Sequence, residues 1–273
     1  MPIEVRSLAE WQAAGVKGLL SVVIPAFNEE GHIEETVRQF ARVLRGAGIT
    51  FEILVVNDNS TDGTERILEM LCASENSVRT VNNGPPAGFG FAVRRGLAEF
   101  RGDAVAIVMA DGSDDPEDLL RFYETLESGY DCVFGSRFMR GSRVADYPKP
   151  KLILNRLGNL LIRTLFLLRY NDVTNAFKLY RRTAIAGIQP ILSQHFNLTV
   201  ELPLKCIVRG YRYAVLPNSW KNRKSGASKL RIKEMGSRYL FIILYCWLER
   251  LLSRGDYRNQ ELTWESQLQV WHR

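Results

Sequence analysis

Apolar and polar positions along the first half of the chain fall into two alternating kinds of block. Short, largely apolar runs at Leu20–Pro25, Phe51–Val56, Val78–Val81 and Ala104–Met109 predict buried strands. Between the first two, Glu30–Leu44 repeats its apolar side chains at helical spacing, with Ile33, Val37, Phe40, Ala41 and Leu44 on one face. Thr64–Cys72 and Ala87–Phe100 predict two further helices, and Thr61 or Asp62 is available to cap the first of them. A βαβαβαβ order of this kind predicts an α/β fold, a doubly wound and mostly parallel sheet flanked by helices.

In such sheets ligands bind beyond the carboxyl ends of the strands. Here those ends are polar: Pro25-Ala26-Phe27-Asn28-Glu29, Asn57-Asp58-Asn59, and Asp111-Gly112-Ser113-Asp114-Asp115. Clustered carboxylates after a buried strand supply hard oxygen ligands, suited to a divalent cation holding a diphosphate. The same loop also reads as a helix start at Asp115-Pro116-Glu117-Asp118. Shared placement of three polar endings on one rim favours the cation site. Gly88 and Gly90 lack the spacing of a dinucleotide fingerprint. They predict either a backbone that approaches a phosphate or sugar, or tight packing of a helix on the sheet.

The second half is patterned differently. Leu152–Leu168 is an apolar helix carrying one polar stripe, Asn155, Asn159 and Arg163, with Arg156 beside it. Arg238–Leu248 is apolar but ends at Glu249 and Arg250, short of the roughly 20 residues needed to cross a bilayer. Core or protein-interface burial is the commoner fate of such helices, and lying in a headgroup plane with basic side chains outward is the other. The chain is therefore expected not to span a membrane, with placement on its surface left open.

Charge adds a direction to this picture. The net charge is +6, and eleven Lys and Arg side chains between Arg137 and Arg182 face only Asp146 and Asp172. A basic middle implies an anionic partner, with phosphate or an acidic membrane face favoured because no nucleic-acid motif accompanies it. The four cysteines and three histidines are scattered without metal-type spacing. With no signal-peptide pattern at the start, they predict reduced thiols and a cytoplasmic protein. At 273 residues the expected division is an extension over 1–18, a main domain over 19–231 and a helical membrane-surface or dimerisation segment over 232–273. The basic residues Arg250, Arg254 and Arg258 lie in that last segment.

Pro25-Ala26-Phe27-Asn28-Glu29, the Asn57–Thr64 loop, Gly88-x-Gly90-x-Ala92-x3-Gly96 and the Asp111 loop, in this order, resemble the family 2 glycosyltransferases with a GT-A fold. Phe134-Gly135-Ser136-Arg137-Phe138, the run Asp172–Arg182 and Arg223-Lys224-x-Gly226-x-Ser228-Lys229 resemble the branch that glycosylates polyprenyl phosphates, the dolichol-phosphate mannose synthases. The likeness runs from about Leu20 to about Leu230.

That resemblance implies roles. Pro25, Phe27, Glu29, Asp58, Gly88 and Gly90 would line the nucleotide pocket, with Asp58 on the base. Asp111, with Ser113 as a second ligand, would hold Mg²⁺ or Mn²⁺ against the donor diphosphate. Arg137, Arg156, Arg223, Ser228 and Lys229 would meet the acceptor phosphate or the leaving diphosphate; Asp111, Arg137 and Arg156 would carry catalysis. The implied reaction moves mannose from GDP-mannose to polyprenyl phosphate with inversion. UDP-glucose or UDP-GlcNAc donors, a saccharide hydroxyl acceptor with Glu201 as base, and a degenerate nucleotide-sugar binding protein remain alternatives. A homodimer through the last segment is also open.

Three positions depart from the family pattern. Asn57 and Met109 stand where acids are usual, and Pro85-Pro86-Ala87 stands where a lysine often precedes the glycines. The loss at Met109 leaves open whether Asp114 or Asp115 replaces the missing carboxylate.

Overall fold

The computed structural model describes residues 16–222 and 232–258. Strand β1 (Val16–Ala26) is followed by α1 (Ile33–Gly46), β2 (Phe51–Asn57), α2 (Thr64–Ser74), β3 (Val78–Asn82), α3 (Phe89–Glu99) and β4 (Gly102–Ile107). Then come α4 (Pro116–Glu127), β5 (Cys132–Ser136), β6 (Val144–Ala145), α5 (Lys149–Phe166), β7 (Lys178–Arg181), α6 (Arg182–Gly187), α7 (Leu198–Val208), β8 (Tyr213–Pro217), β9 (Trp220–Lys221) and α8 (Ile232–Leu252).

The main sheet runs β3-β2-β1-β4-β7-β5-β8, and β6 pairs with β9 in a small second sheet. β1 pairs in parallel with both β2 and β4, whereas β7 is antiparallel to β4 and β5. The strand order reverses beside β1, so a crevice opens between the ends of β1 and β4. Strand residues alternate between two cores. Val22, Ile24, Ile53 and Val55 pack with α1, α2 and α4, while Val23, Leu54 and Val56 pack with α3, α7 and α8.

Some predicted boundaries move for visible reasons. Helix α1 begins at Ile33 rather than Glu30, because Asn28 takes a left-handed backbone (φ 53°) and Glu29 to His32 form a turn. Strand β4 ends at Ile107 rather than Met109, whose N–H is given to Asp114 Oδ2 (3.0 Å).

Helices α5 and α8 both turn much of their apolar surface outward. On α5 the buried side chains are Asn159, Ile162 and Phe166, while Ile153, Leu154, Leu157, Leu160 and Leu161 are exposed. Leu167, just past its end, is 82% exposed. The predicted polar stripe thus faces the protein through Asn155 and Asn159, and the leucines face outward. On α8, Ile242, Ile243 and Cys246 join the core beside α7, and Leu240, Phe241, Leu244, Leu248, Leu251 and Leu252 are exposed. A buried Arg209–Glu249 pair (Nε–Oε1 2.8 Å) ties α8 to the end of α7. Among the described residues no helix is long and apolar enough to cross a membrane.

Candidate active site

The loops after β1 and β2 are knitted into one rim. Asn28 receives the Thr61 N–H on Oδ1 (2.8 Å) and gives its own N–H to Ser60 Oγ (3.0 Å). Glu29 donates its N–H to Thr64 Oγ1, and Glu30 accepts from Gly63 N–H. Asn57, where an acid is usual, accepts the Ser60 N–H (3.1 Å) in a side-chain turn. Pro25 is buried within β1, and Phe27 stands exposed at the rim. Glu29 is half-buried, with Oε2 3.5 Å from His32 Nδ1.

Asp58 is buried and accepts from Asn83 Nδ2 (2.7 Å) and Gly88 N–H (2.8 Å). It therefore fixes the start of the glycine loop against the end of β2. The glycines also have a close protein neighbour. A Cβ on Gly90 would lie 2.4 Å from the Gln194 carbonyl carbon, and one on Gly88 would lie 3.0 Å from His195 Nδ1. Their close approach is to the chain before α7, where Phe89 also stacks on Phe196 (centroids 4.3 Å apart). Packing is thus met by the chain before α7 rather than by the sheet.

The acidic loop divides its carboxylates. Asp115 caps α4, accepting the Glu117 N–H (3.0 Å) with Pro116 in the first turn. Asp114 is buried against Met109 N–H, and burial pushes its carboxyl up to about 7, reinforced by the Asp111 and Asp118 charges. Asp111 is half-buried and accepts the Ser113 N–H (3.2 Å). Among the described residues no group of three or more His, Cys, Asp or Glu side chains is gathered as a metal cage. The donor set is short and all oxygen: Asp111, with the buried Ser113 hydroxyl and Asp114 beside it. That chemistry fits a hard divalent cation whose other ligands are phosphate oxygens and water.

Across the crevice lies the basic side. Arg137 forks onto Asp172, with Nε–Oδ2 and Nη2–Oδ1 both 2.8 Å, and its N–H also reaches Oδ2 (2.9 Å). Both side chains are buried, and the Asp172 carboxylate raises the guanidinium pKa well above its usual range. The expected direct phosphate contact from Arg137 is thereby revised, since its charge is already matched. Arg156 on α5 is exposed, 4.8 Å from the Phe138 ring centroid, and remains available to an anion. Arg223, Ser228 and Lys229 lie outside the described residues.

The basic excess is also partly internal. Lys178 donates to the carbonyls of Val173 and Thr199, and Arg181 to those of Leu126 and Tyr130. Arg182 donates to the carbonyls of Phe100 and Gly102. Glu201 corrects another expectation. It is fully buried, paired with Lys205 (2.7 Å), and accepts the N–H groups of Leu192 and Ser193. A carboxylate so committed is not a general base for a sugar hydroxyl.

Asp172, Tyr147 and Phe138 were assigned no role from sequence. The signals for Asp172 are its place as one of two acids in the basic stretch and at the head of the family-like run to Arg182. Tyr147 packs on Trp220 (centroids 4.8 Å apart), and the Arg137 guanidinium lies 5.5 Å from the Tyr147 ring centroid.

Comparison with known proteins gives the family and the fold. Residues 21–188 match the model of glycosyl transferase family 2. The polyprenol monophosphomannose synthase of Mycolicibacterium smegmatis is 30% identical over 215 residues, covering 77% of this chain and 80% of the relative. The undecaprenyl-phosphate mannosyltransferase of Micrococcus luteus is 31% identical over 218 residues, covering 76% and 86%. Among solved structures, the Mycobacterium tuberculosis glucosyl-3-phosphoglycerate synthase, in complex with Mn²⁺, UDP and glucosyl-3-phosphoglycerate, superposes with a TM-score of 0.65. It is 19% identical, with 92% of this chain and 86% of that one covered. That similarity carries the GT-A fold, a mostly parallel sheet between helices. The chain belongs to glycosyl transferase family 2 and is a glycosyltransferase.

Proposed function

We propose that this glycosyltransferase moves a sugar from a nucleotide-diphosphate donor to polyprenyl phosphate at a membrane surface, with inversion. Mannose from GDP-mannose is the preferred donor, in keeping with the names of the two mannosyl-transferring relatives. The observation that carries the acceptor is the outward leucine face of α5, directly beside Arg156. An isoprenoid tail requires apolar surface, and its phosphate requires a cation at the edge of that surface.

A phosphate monoester carries about −1.5 to −2 charge at pH 7, so it attacks without a base and needs positioning instead. Arg156 would hold it, while the Arg137–Asp172 pair stiffens the floor beneath. On the donor side, the rim at Phe27, Glu29 and Asp58 would receive the nucleotide. Asp111, with Ser113 and Asp114 beside it, would hold Mg²⁺ or Mn²⁺, which supplies charge neutralisation of the departing diphosphate. The exposed faces of α5 and α8 would seat the protein peripherally, on the cytoplasmic side where nucleotide sugars are available.

The test is incubation of labelled GDP-mannose, UDP-glucose and UDP-GlcNAc with undecaprenyl phosphate in vesicles. An acid-labile, organic-extractable product from one donor is expected. Label appearing only on a saccharide acceptor would overturn the lipid-phosphate reading.

A further inference from the structure

A ring of polar contacts joins the lipid-facing helix to the Arg137–Asp172 pair. Asn159, 1% exposed, donates through Nδ2 to Thr174 Oγ1 (3.0 Å) and to Asn155 Oδ1 (2.6 Å), and its Oδ1 faces the Thr174 N–H (3.4 Å). Thr174 Oγ1 lies 3.2 Å from Asn155 Oδ1 and 3.5 Å from Asp172 Oδ1. Asn155 Nδ2 donates to the Tyr147 hydroxyl (3.1 Å). The Tyr147 ring lies against the Arg137 guanidinium, and Arg137 closes the ring on Asp172.

On an ordinary surface helix the buried apolar stripe sets the rotation about the axis. Helix α5 exposes most of its leucines, leaving Ile162 and Phe166 as its buried apolar side chains near one end. Its other end has the asparagines instead. Both lone pairs of Asn155 Oδ1 are engaged by Asn159 and Thr174, so that amide has one orientation. Arg156 follows it immediately and lies over Phe138, which itself follows Arg137. A slip of one residue along α5 would turn Arg156 by about 100° and carry it off the phosphate position.

We propose that Asn155, Asn159 and Thr174 are positioning residues for the acceptor: their polar ring sets the rotation of α5 and so holds Arg156 beside the Arg137–Asp172 pair. This rests on the reading of Arg156 as the acceptor-phosphate cation. A ring that served stability alone would affect donor and acceptor handling alike. A positioning ring separates them, because the donor rim belongs to β1, β2 and β4.

The test compares Thr174→Val with Thr174→Ser. In Thr174→Val the KM for polyprenyl phosphate should rise about tenfold and the KM for the nucleotide sugar should change less than about twofold. Thr174→Ser keeps the hydroxyl and should restore both. Hydrogen exchange should show residues 149–166 losing protection in Thr174→Val while α1 keeps it. Equal shifts in both KM values, or none, would overturn the proposal. Should Thr174→Val fail to fold, Asn155→Leu at its half-exposed position repeats the comparison. A wild-type protein inactive on polyprenyl phosphate overturns the acceptor reading; unchanged exchange over 149–166 in the variant overturns the ring's hold on α5. The two failures are thus distinct.

Discussion

The two halves of this molecule use opposite rules for the same kinds of side chain. Up to Ser136, on the donor side, the exposed large apolar residues among those described are Phe27 and Met70. Beyond it, α5 and α8 alone expose Ile153, Leu154, Leu157, Leu160, Leu161, Leu240, Phe241, Leu244, Leu248, Leu251 and Leu252. Buried charge differs in kind: the earlier half buries the carboxylates Glu52, Asp58, Asp114 and Asp118, whereas the later half also buries cations, Arg137, Lys178, Arg182, Lys205 and Arg209, beside Asp172, Glu201 and Glu249. The donor half is built for water outside and carbon inside. The acceptor half turns carbon outward and holds itself together with paired charges and amides, which suits a surface that meets hydrocarbon.

The sharpest test of the donor half is its acidic loop. Asp111→Asn keeps the shape and removes the charge, and turnover should fall by about 10²-fold or more while the fold is retained. Steady-state rates at saturating donor, with circular dichroism as the fold control, check it. Near-normal turnover would remove the acidic loop from the chemistry and leave the donor half without its proposed cation site.

The acceptor half should respond to a change that the donor half would not survive. Replacing both Leu157 and Leu244 with Glu puts charge on exposed positions, so the thermal midpoint should move by no more than about 2 °C. Binding to anionic vesicles should weaken about thirtyfold, since two buried leucine contacts are worth a few kcal/mol against lipid. The same substitution at Leu54, fully buried in the donor sheet, should leave no folded protein. Co-sedimentation with vesicles and thermal melts read both outcomes. A double variant that melts early would mean those leucines cover protein in solution.

This asymmetry decides what the sequence made legible. In the donor half, short apolar strand runs, helical periodicity and polar strand ends all point the same way, so element order and the rim of Asp58 and Asp111 follow from local pattern. In the acceptor half, periodicity identifies α5 as amphipathic but says nothing of which face meets the protein. A hydrophobic stripe names a face, not the medium it contacts. Pairings across the fold were equally hidden. Arg137 reads as a free phosphate ligand until β5 and the Asp172 loop are brought together, 35 residues apart. The glycine pair reads as either a phosphate approach or a packing contact, and its neighbours Gln194 and His195, about a hundred residues on, are not legible from local pattern. Lys178 and Arg182 contribute to a basic run on paper, yet both are buried on backbone carbonyls.

Lys178 lies at the seam of the two halves, on β7, between β4 and β5. Its amine reaches carbonyls of Val173 and Asn175 in the Asp172 loop and of Thr199 in α7. Burial pushes its pKa down from the ordinary 10.5 to about 7, against the pull of the Asp172 and Asp114 charges. Between those values the unfolded chain holds a proton that the folded chain lacks. Folding stability from this group is therefore present above pH 10.5 and is lost as pH falls toward 7, by at most about 1.4 kcal/mol per pH unit. Urea unfolding of the wild type and Lys178→Met at about pH 7.5, 8.5 and 9.5 isolates it. The wild-type stability, taken relative to the variant, should climb with pH across that range. A difference independent of pH would mean that the ammonium stays charged at the seam, held by its carbonyls and Asp172, and that the acceptor half carries its buried charges fully ionised.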